Sequence, residues 1–288
     1  MKHESVVVLG LPESGKTTFL AALWHQMKAG KVASKLSLVK LKAVESEHLQ
    51  AIEALWVKAK KQDRTFHSKN RTAVMTLRTA DGKDFDLAFP DIAGEAFGGI
   101  WEDRACSEEV IRALTASGVM LFVHSSEYNA PNWIADFSKL NAKTGGSFKV
   151  GEPVPWKPRL APTQVQLVDL LRCLQEEPLH VGPRKLAVVL SAWDQASDEG
   201  RSPADYLEAH MPLLHQYLTH GLDEAWQFRV YGVSAQGGDY DNLGDETSAE
   251  AKRLQALRVP SHRIQVVHGD ASSHDLSEPL VWLLEGIA

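Results

Sequence analysis

The chain has 288 residues and a mass of 31.8 kDa, with 44% hydrophobic and 24% charged residues, which fits one elaborated globular domain over residues 1–288. A net charge of −6, from 31 basic and 37 acidic residues, argues against a protein built to coat nucleic acid, so no nucleic-acid partner is expected. Two cysteines, Cys106 and Cys173, exclude a disulfide scaffold and fit a reduced, cytoplasmic compartment, and no apolar run approaches the ~18–20 residues of a membrane span.

Short apolar or β-branched runs alternate with helical stretches, the pattern of an α/β sheet. The first strand, Ser5–Leu9, runs through a glycine-bearing turn into an apolar helix, Lys16–Ala29, which Gly30 closes as a left-handed cap. A second helix is expected over Glu45–Lys61, with Lys58-Ala59-Lys60-Lys61 as its solvated end. Strands Ala73–Leu77 and Phe85–Phe89 flank Ala80-Asp81-Gly82-Lys83, whose Asp-Gly predicts a hairpin and one antiparallel sheet edge. Helix Ser107–Ala116 and strand Val119–His124 follow.

The stretch 128–162 then reads as a long insertion, with Pro131, Pro153, Pro155, Pro158, Pro162 and Gly145-Gly146. Helix Thr163–Glu176, strand Leu186–Leu190, helix Pro203–His220 and strand Phe228–Val233 come next. A second, polar insertion spans 237–261, within which Glu250–Leu257 suits a helix, and the last helix is Glu278–Leu284. Continuously apolar strands are expected where a mostly parallel sheet is covered by helices on both faces.

Gly10-Leu11-Pro12-Glu13-Ser14-Gly15-Lys16-Thr17 fits G-x-x-x-x-G-K-[ST] between a strand and a helix, the setting that makes this pattern a phosphate-binding P-loop. Glycines let backbone N–H groups, including those of Glu13, Ser14 and Gly15, converge on phosphate oxygens at a helix N-terminus. Lys16 reaches the β- and γ-phosphates, Thr17 offers its hydroxyl to magnesium, and Thr18 extends the cradle. Asp91 and Gly94 follow the strand Phe85–Phe89 as Asp91-Ile92-Ala93-Gly94, at the edge where ligands bind. Asp91 is placed to order magnesium and Gly94 to approach the γ-phosphate. The double glycine Gly98-Gly99 with Phe97 and Trp101 marks a segment that orders or relaxes with that phosphate.

Asp91-x-x-Gly94 resembles the D-x-x-G motif of TRAFAC-class GTPases. Ser191-Ala192-Trp193-Asp194, after its strand, resembles their N/T-K-x-D base-reading motif, and Ser234-Ala235 their S-A-x motif. The chain departs from the pattern in having Ser191 for Asn or Thr and Ala192 for Lys. The missing lysine stem normally packs on the base, and Trp193 or Trp226 is available in its place. Ser14-Gly15-Lys16-Thr17-Thr18-Phe19-Leu20-Ala21-Ala22-Leu23-Trp24-His25, Asp91-Ile92-Ala93-Gly94-Glu95-Ala96-Phe97 and the Pro279-Leu280-Val281-Trp282-Leu283-Leu284 helix look like the bacterial double-GTPase group.

That resemblance implies a P-loop NTPase fold like the small GTPases, GTP or GDP with magnesium as ligands, and Asp194, Ser234 and Ala235 as guanine contacts. It also implies a place in bacterial conflict or antiviral defence systems beside a partner, either a second GTPase or an effector. Glu95 stands where many GTPases have glutamine. Its charge near the phosphates implies slow intrinsic turnover, with a cationic group supplied by a partner or by Arg104.

The threonine that closes the first switch is expected ahead of Ala73, at Thr65 or Thr72, with Thr65 preferred. Two other readings remain: an ATP-using P-loop enzyme, which Asp194 disfavours, and a nucleotide-bound scaffold with negligible turnover. Trp101, Trp133 and Trp156 suit partner contacts, whereas the histidines, including His262, His268 and His274, read as scattered over the surface.

Overall fold

The computed structural model describes residues 4–42, 46–61, 72–90, 99–131, 138–139, 142–143 and 155–285. Among them, nine strands form one sheet. These are β1 (Ser5–Gly10), β2 (Leu36–Lys42), β3 (Thr72–Thr79), β4 (Asp84–Pro90), β5 (Gly118–His124), β6 (Lys185–Ser191), β7 (Gln227–Ser234), β8 (Gln265–His268) and β9 (Ala271–Ser273). Their spatial order is β2-β3-β4-β1-β5-β6-β7-β8-β9. β4, β1, β5, β6 and β7 pair in parallel, and only β3 and β8 run the other way.

The expected hairpin is present. Gly82, at φ +88°, turns β3 into β4, and the Gly82 N–H donates to Thr79 O at 3.0 Å. Two features add to the expected sheet. β2 extends the hairpin edge into a three-strand meander, and β8 and β9 make a second antiparallel edge beyond β7.

Eight α-helices are described: α1 (Lys16–Ala29), α2 (Ser46–Val57), α3 (Glu108–Leu114), α4 (Thr163–Cys173), α5 (Pro203–His210), α6 (Pro212–His220), α7 (Ala249–Gln255) and α8 (Glu278–Leu284). The expected single helix over Pro203–His220 is two helices. Pro212 lacks the N–H that would continue α5, and it opens α6 as its first residue. Gly30 caps α1 in the left-handed conformation, its N–H donating to Gln26 O at 3.1 Å.

Alternation along the central strands splits the core in two. Val6 and Val8 of β1, with Met120 and Phe122 of β5, face α1, α2 and α8. Val7 and Leu9, with Val119, Leu121 and Val123, face α4, α5 and α6. Burying one such side chain contributes about 1.5–3 kcal/mol, so β1 holds rigidly whatever loop leaves it. β1 also lies between β4 and β5, which follow one another in the chain, so the strand order reverses there. The crevice at such a switch point, at the strands' C-terminal edge, is where open α/β sheets take ligands.

Both insertions are fastened where they are described. The 128–162 segment closes at its neck, because the Asn129 N–H donates to Thr163 Oγ1 (2.9 Å) and the Thr163 N–H to Asn129 O (2.8 Å). The 237–261 segment docks on the end of α2. The Lys61 N–H donates to Asp241 O at 2.7 Å, and Lys60 Nζ sits 3.6 Å from Asp241 Oδ2. Lys60 is therefore largely buried in an ion pair and does not end α2 as a solvated charge.

Candidate functional site

β1 delivers Gly10 to the C-terminal edge, and the loop to Lys16 wraps the start of α1. Gly10 adopts φ +149°, and a Cβ there would lie 2.6 Å from Phe122 O and 2.6 Å from Ser14 Oγ, so only glycine fits. Glu13 has φ +66° and Gly15 has φ +85°, which turns successive backbone N–H groups into a concave nest. Lys16 Nζ donates to Gly10 O (2.8 Å), Leu11 O (2.7 Å) and Ser14 Oγ (3.1 Å), which fixes the ammonium across the mouth of the loop. Ser14 is buried, whereas Thr17 is exposed and Thr18 half-buried in the first turn of α1. An exposed hydroxyl on a helix N-terminus suits a hard, oxygen-seeking cation such as magnesium.

The P-loop meets the end of β6 directly. A Cβ on Gly15 would lie 2.9 Å from both Cβ and Oγ of Ser191, so the small serine leaves the loop room. Ala192 then takes a left-handed conformation, φ +50°, and leads into the short turn Trp193–Gln195 that carries Asp194. Asp194 Oδ1 is buried and has no hydrogen-bond partner among the described residues. A buried acceptor of this kind is costly until a donor reaches it.

Neither tryptophan takes the place of the missing lysine. Trp193 is buried against Gly232 and stacks edge-on with Tyr206 at 5.4 Å. Trp226 precedes β7, at the opposite edge of the sheet, beneath the Arg184 guanidinium at 5.5 Å.

Ser234 ends β7 beside this turn. Its Oγ accepts the Gly237 N–H at 3.0 Å, and the Ala235 carbonyl accepts the Trp56 indole N–H at 2.8 Å. Behind the loop, the Arg263 guanidinium lies 3.7 Å from the Trp56 ring centroid and 5.5 Å from that of Tyr240, and Arg263 donates to Trp56 O. Burial pushes the Tyr240 hydroxyl pKa up, and the Asp194 charge adds to this while Arg263 opposes it. No motif points to Trp56 or Arg263, which lie far from the motifs in the chain, or to Tyr240, five positions after Ala235.

On the other flank of the P-loop, a cavity of about 290 Å³ is lined by Leu11, Pro12, Glu13, Ser14, Phe122, Val123, His124, Glu127, Tyr128, Asn129, Thr163 and Leu167. His124 Nδ1 accepts the Glu127 N–H (2.9 Å) and the Ser126 N–H (3.3 Å), which puts its proton on Nε2. Burial holds its pKa below the ordinary value, against the pull of Glu127, Asp194 and Glu13.

The P-loop residues, Asp194, Ser234 and Ala235 thus meet along one edge. Thr65, Asp91, Gly94 and Glu95 lie outside the described residues. Thr72 opens β3, and β4 ends at Pro90 on the same edge as the P-loop. Arg104 is held by its own neighbours. It pairs with Asp169 of α4 and lies over Trp101 at 5.6 Å. Trp101 is half-buried within a π-helical turn, Gly99–Asp103, Trp133 is outside the described residues, and Trp156 is exposed. His262 and His274 are exposed, with their ring centroids 5.4 Å apart, and His268 is half-buried. No described helix is long and apolar enough to cross a membrane.

A family model described as Double-GTPase 1 matches residues 7–283. Among solved structures, the chain is similar to the S. cerevisiae Ski7 GTPase-like domain bound to GDP and inorganic phosphate. The identity is 14% and the TM-score 0.41, with 88% of this chain and 48% of that one covered. The same domain bound to GTP matches at 12% identity and a TM-score of 0.40, over 91% and 50% of the two chains. Sup35 complexed with GMPPNP matches at 12% identity and 0.35, over 89% and 45%. The chain therefore spans about half the length of these structures. No curated protein matches it.

Proposed function

The chain belongs to the Double-GTPase 1 family, and on that premise we propose that it is a magnesium-dependent GTP-binding switch that hydrolyses GTP slowly on its own. The observation that carries this reading is Asp194 Oδ1, a buried acceptor without a partner among the described residues, on the same edge as the P-loop. Guanine presents N1–H and a 2-amino group to such a carboxylate, and adenine presents no matching pair. In this reading Lys16, with Gly10, Glu13, Ser14, Gly15 and Thr18, holds the phosphates. Ser234 and Ala235 contact the base through the backbone.

Thr17 and Asp91 would hold magnesium, which would supply positive charge against that of the phosphates. Gly94 senses the γ-phosphate, Glu95 orients the attacking water at some electrostatic cost, and Thr65 closes the first switch. The continuous sheet supports a single domain. A cytoplasmic role in bacterial defence, with a partner protein that supplies the missing cation, follows from the family resemblance.

Calorimetry with GDP, GTP and ATP in the presence of magnesium tests the reading, with Lys16→Ala and Asp194→Ala as controls. Selective guanine binding that Asp194→Ala abolishes supports it, and equal or tighter ATP binding overturns it. Single-turnover hydrolysis then separates a slow enzyme from an inert scaffold.

A further inference from the structure

The turn that carries Ser234 and Ala235 is fastened from several directions. The Ser234 hydroxyl takes the Gly237 N–H at 3.0 Å and so closes the turn on itself. Arg253 Nη2 donates to Gly237 O at 3.0 Å, and Gln236 Nε2 to Gly238 O at 2.8 Å. Each of these bonds is local or comes from the adjoining segment. One comes from across the molecule. The Trp56 indole N–H, on α2, donates to Ala235 O at 2.8 Å, in a bond that is buried at both ends.

Trp56 has little freedom of its own. It is 2% exposed, with the Arg263 guanidinium 3.7 Å from its ring centroid and the His25 ring at 5.0 Å. An indole N–H is a single donor with one direction, so a clamped ring fixes where the Ala235 carbonyl points. With Ser234 at the strand end and the Ala235 carbonyl pinned, the Ser234–Ala235 peptide between them is held in one orientation. Its N–H, that of Ala235, is a backbone donor, and the 6-oxo oxygen of guanine is an acceptor that adenine lacks, so the backbone contact of the proposed function is taken as this N–H to the 6-oxo group.

We infer that Trp56 is a positioning residue for guanine recognition, one that aims the Ala235 N–H at the base 6-oxo group. This rests on the guanine-binding reading above. It makes the two halves of base recognition independent: Asp194 reads N1–H and the 2-amino group, and the Trp56-braced turn reads the 6-oxo group.

Two nucleotides separate these halves. 6-Thioguanosine diphosphate replaces the 6-oxo acceptor by a weaker sulfur acceptor and keeps the edge that faces Asp194. Inosine diphosphate keeps the 6-oxo group and lacks the 2-amino group. Affinities for both, relative to GDP, are measured by calorimetry on the full chain, on Trp56→Phe and on Leu49→Ala. Phenylalanine retains a ring beneath Arg263 but has no N–H. Leu49 is buried on the same helix and is not in contact with the turn through any of the bonds above, so it controls for a loosened α2.

In the unaltered protein, GDP is expected to bind at least about fivefold more tightly than either analogue, the worth of one hydrogen bond. Trp56→Phe brings the GDP to 6-thio-GDP ratio towards one and leaves the GDP to IDP ratio unchanged, while Leu49→Ala changes neither ratio. If both ratios collapse together in Trp56→Phe, or if Leu49→Ala gives the same result, Trp56 is merely structural and the inference falls. If the unaltered protein shows no preference for GDP over ADP, it is the guanine reading itself that fails.

Discussion

Asp194→Asn gives the most direct test of how the base is read. Aspartate only accepts hydrogen bonds, whereas asparagine accepts at one atom and donates at the other. Guanine brings two donors to this edge, so asparagine meets one correctly and faces the other donor to donor. Xanthine keeps N1–H but has a carbonyl at position 2, which is the complement of asparagine.

The structure sets the scale. Asp194 Oδ1 is buried with no partner among the described residues, so one bond forms away from solvent, whereas the residue as a whole is only half-buried and its other bond is partly screened. Hydrogen bonds to charged groups contribute about 1.5–3 kcal/mol each. Losing one such bond and adding a mismatch should weaken GDP by about 2–4 kcal/mol, or roughly 30- to 1000-fold in Kd. XDP should strengthen over its value for the unaltered protein by at least about tenfold. Titration calorimetry of both nucleotides with excess magnesium measures this. GDP affinity within about threefold of the original, with no gain for XDP, would show that Asp194 does not face the base.

Gly10→Ala puts a Cβ 2.6 Å from the Phe122 carbonyl at φ +149°, so nucleotide binding should be lost and stability should fall by about 1–3 kcal/mol, seen in thermal unfolding. Gly232→Ala drives a methyl group into the Trp193 ring, next to Asp194. The GDP to ADP preference should shrink while ADP affinity, set by the P-loop, holds; an unchanged ratio would uncouple Trp193 from base reading. Burial holds His124 below its ordinary 6.5, so the unfolded chain takes up that proton first and stability falls as pH drops through about 6.5. His124→Asn keeps a side-chain acceptor and removes the titration, so urea midpoints at about pH 7.5 and 5.5 should converge relative to the parent protein; the same spread in both would acquit His124.

Much of this architecture is written locally. The P-loop needs only its own residues, because Gly10, Gly15 and Lys16 act within one turn of chain, and the strands of the parallel core are legible from continuous apolar runs. The β8–β9 pair carries a usable sign in the sequence, a two-residue Gly269-Asp270 connection, with Gly269 at φ +56°. β2 mixes Ser37, Lys40 and Lys42 among its apolar residues, as a sheet edge does, and such a strand looks like loop until its neighbour is known. Pro212 is the sign in the sequence that the helix over Pro203–His220 breaks in two. The supports of the base turn were illegible for a different reason. Trp56 and Ala235 are 179 positions apart, and no local pattern announces which tryptophan of eight spends its N–H on that carbonyl.

The same distance argument gives α2 a place in the site that no motif assigns to it. Glu53 and Trp56 are three residues apart and so share a face of the helix. Glu53 Oε2 accepts from Trp24 Nε1 at 3.0 Å and from Lys28 Nζ at 3.0 Å, and Oε1 lies 3.0 Å from His25 Nδ1, all on α1. Burial alone would raise the Glu53 carboxyl, but hydrogen bonds and charge from His25 and Lys28 outweigh it and hold the group ionised below its usual range. One turn further on, Trp56 holds the turn at the end of β7. α1 begins at the P-loop lysine, so a single face of α2 grips both the helix that leaves the P-loop and the turn after β7, which the proposed function sets under the phosphates and the base. The two ends of the cleft are therefore braced by one rigid element, and a shift of α1 when phosphate binds must move Ala235 or strain the Glu53 and Trp56 contacts.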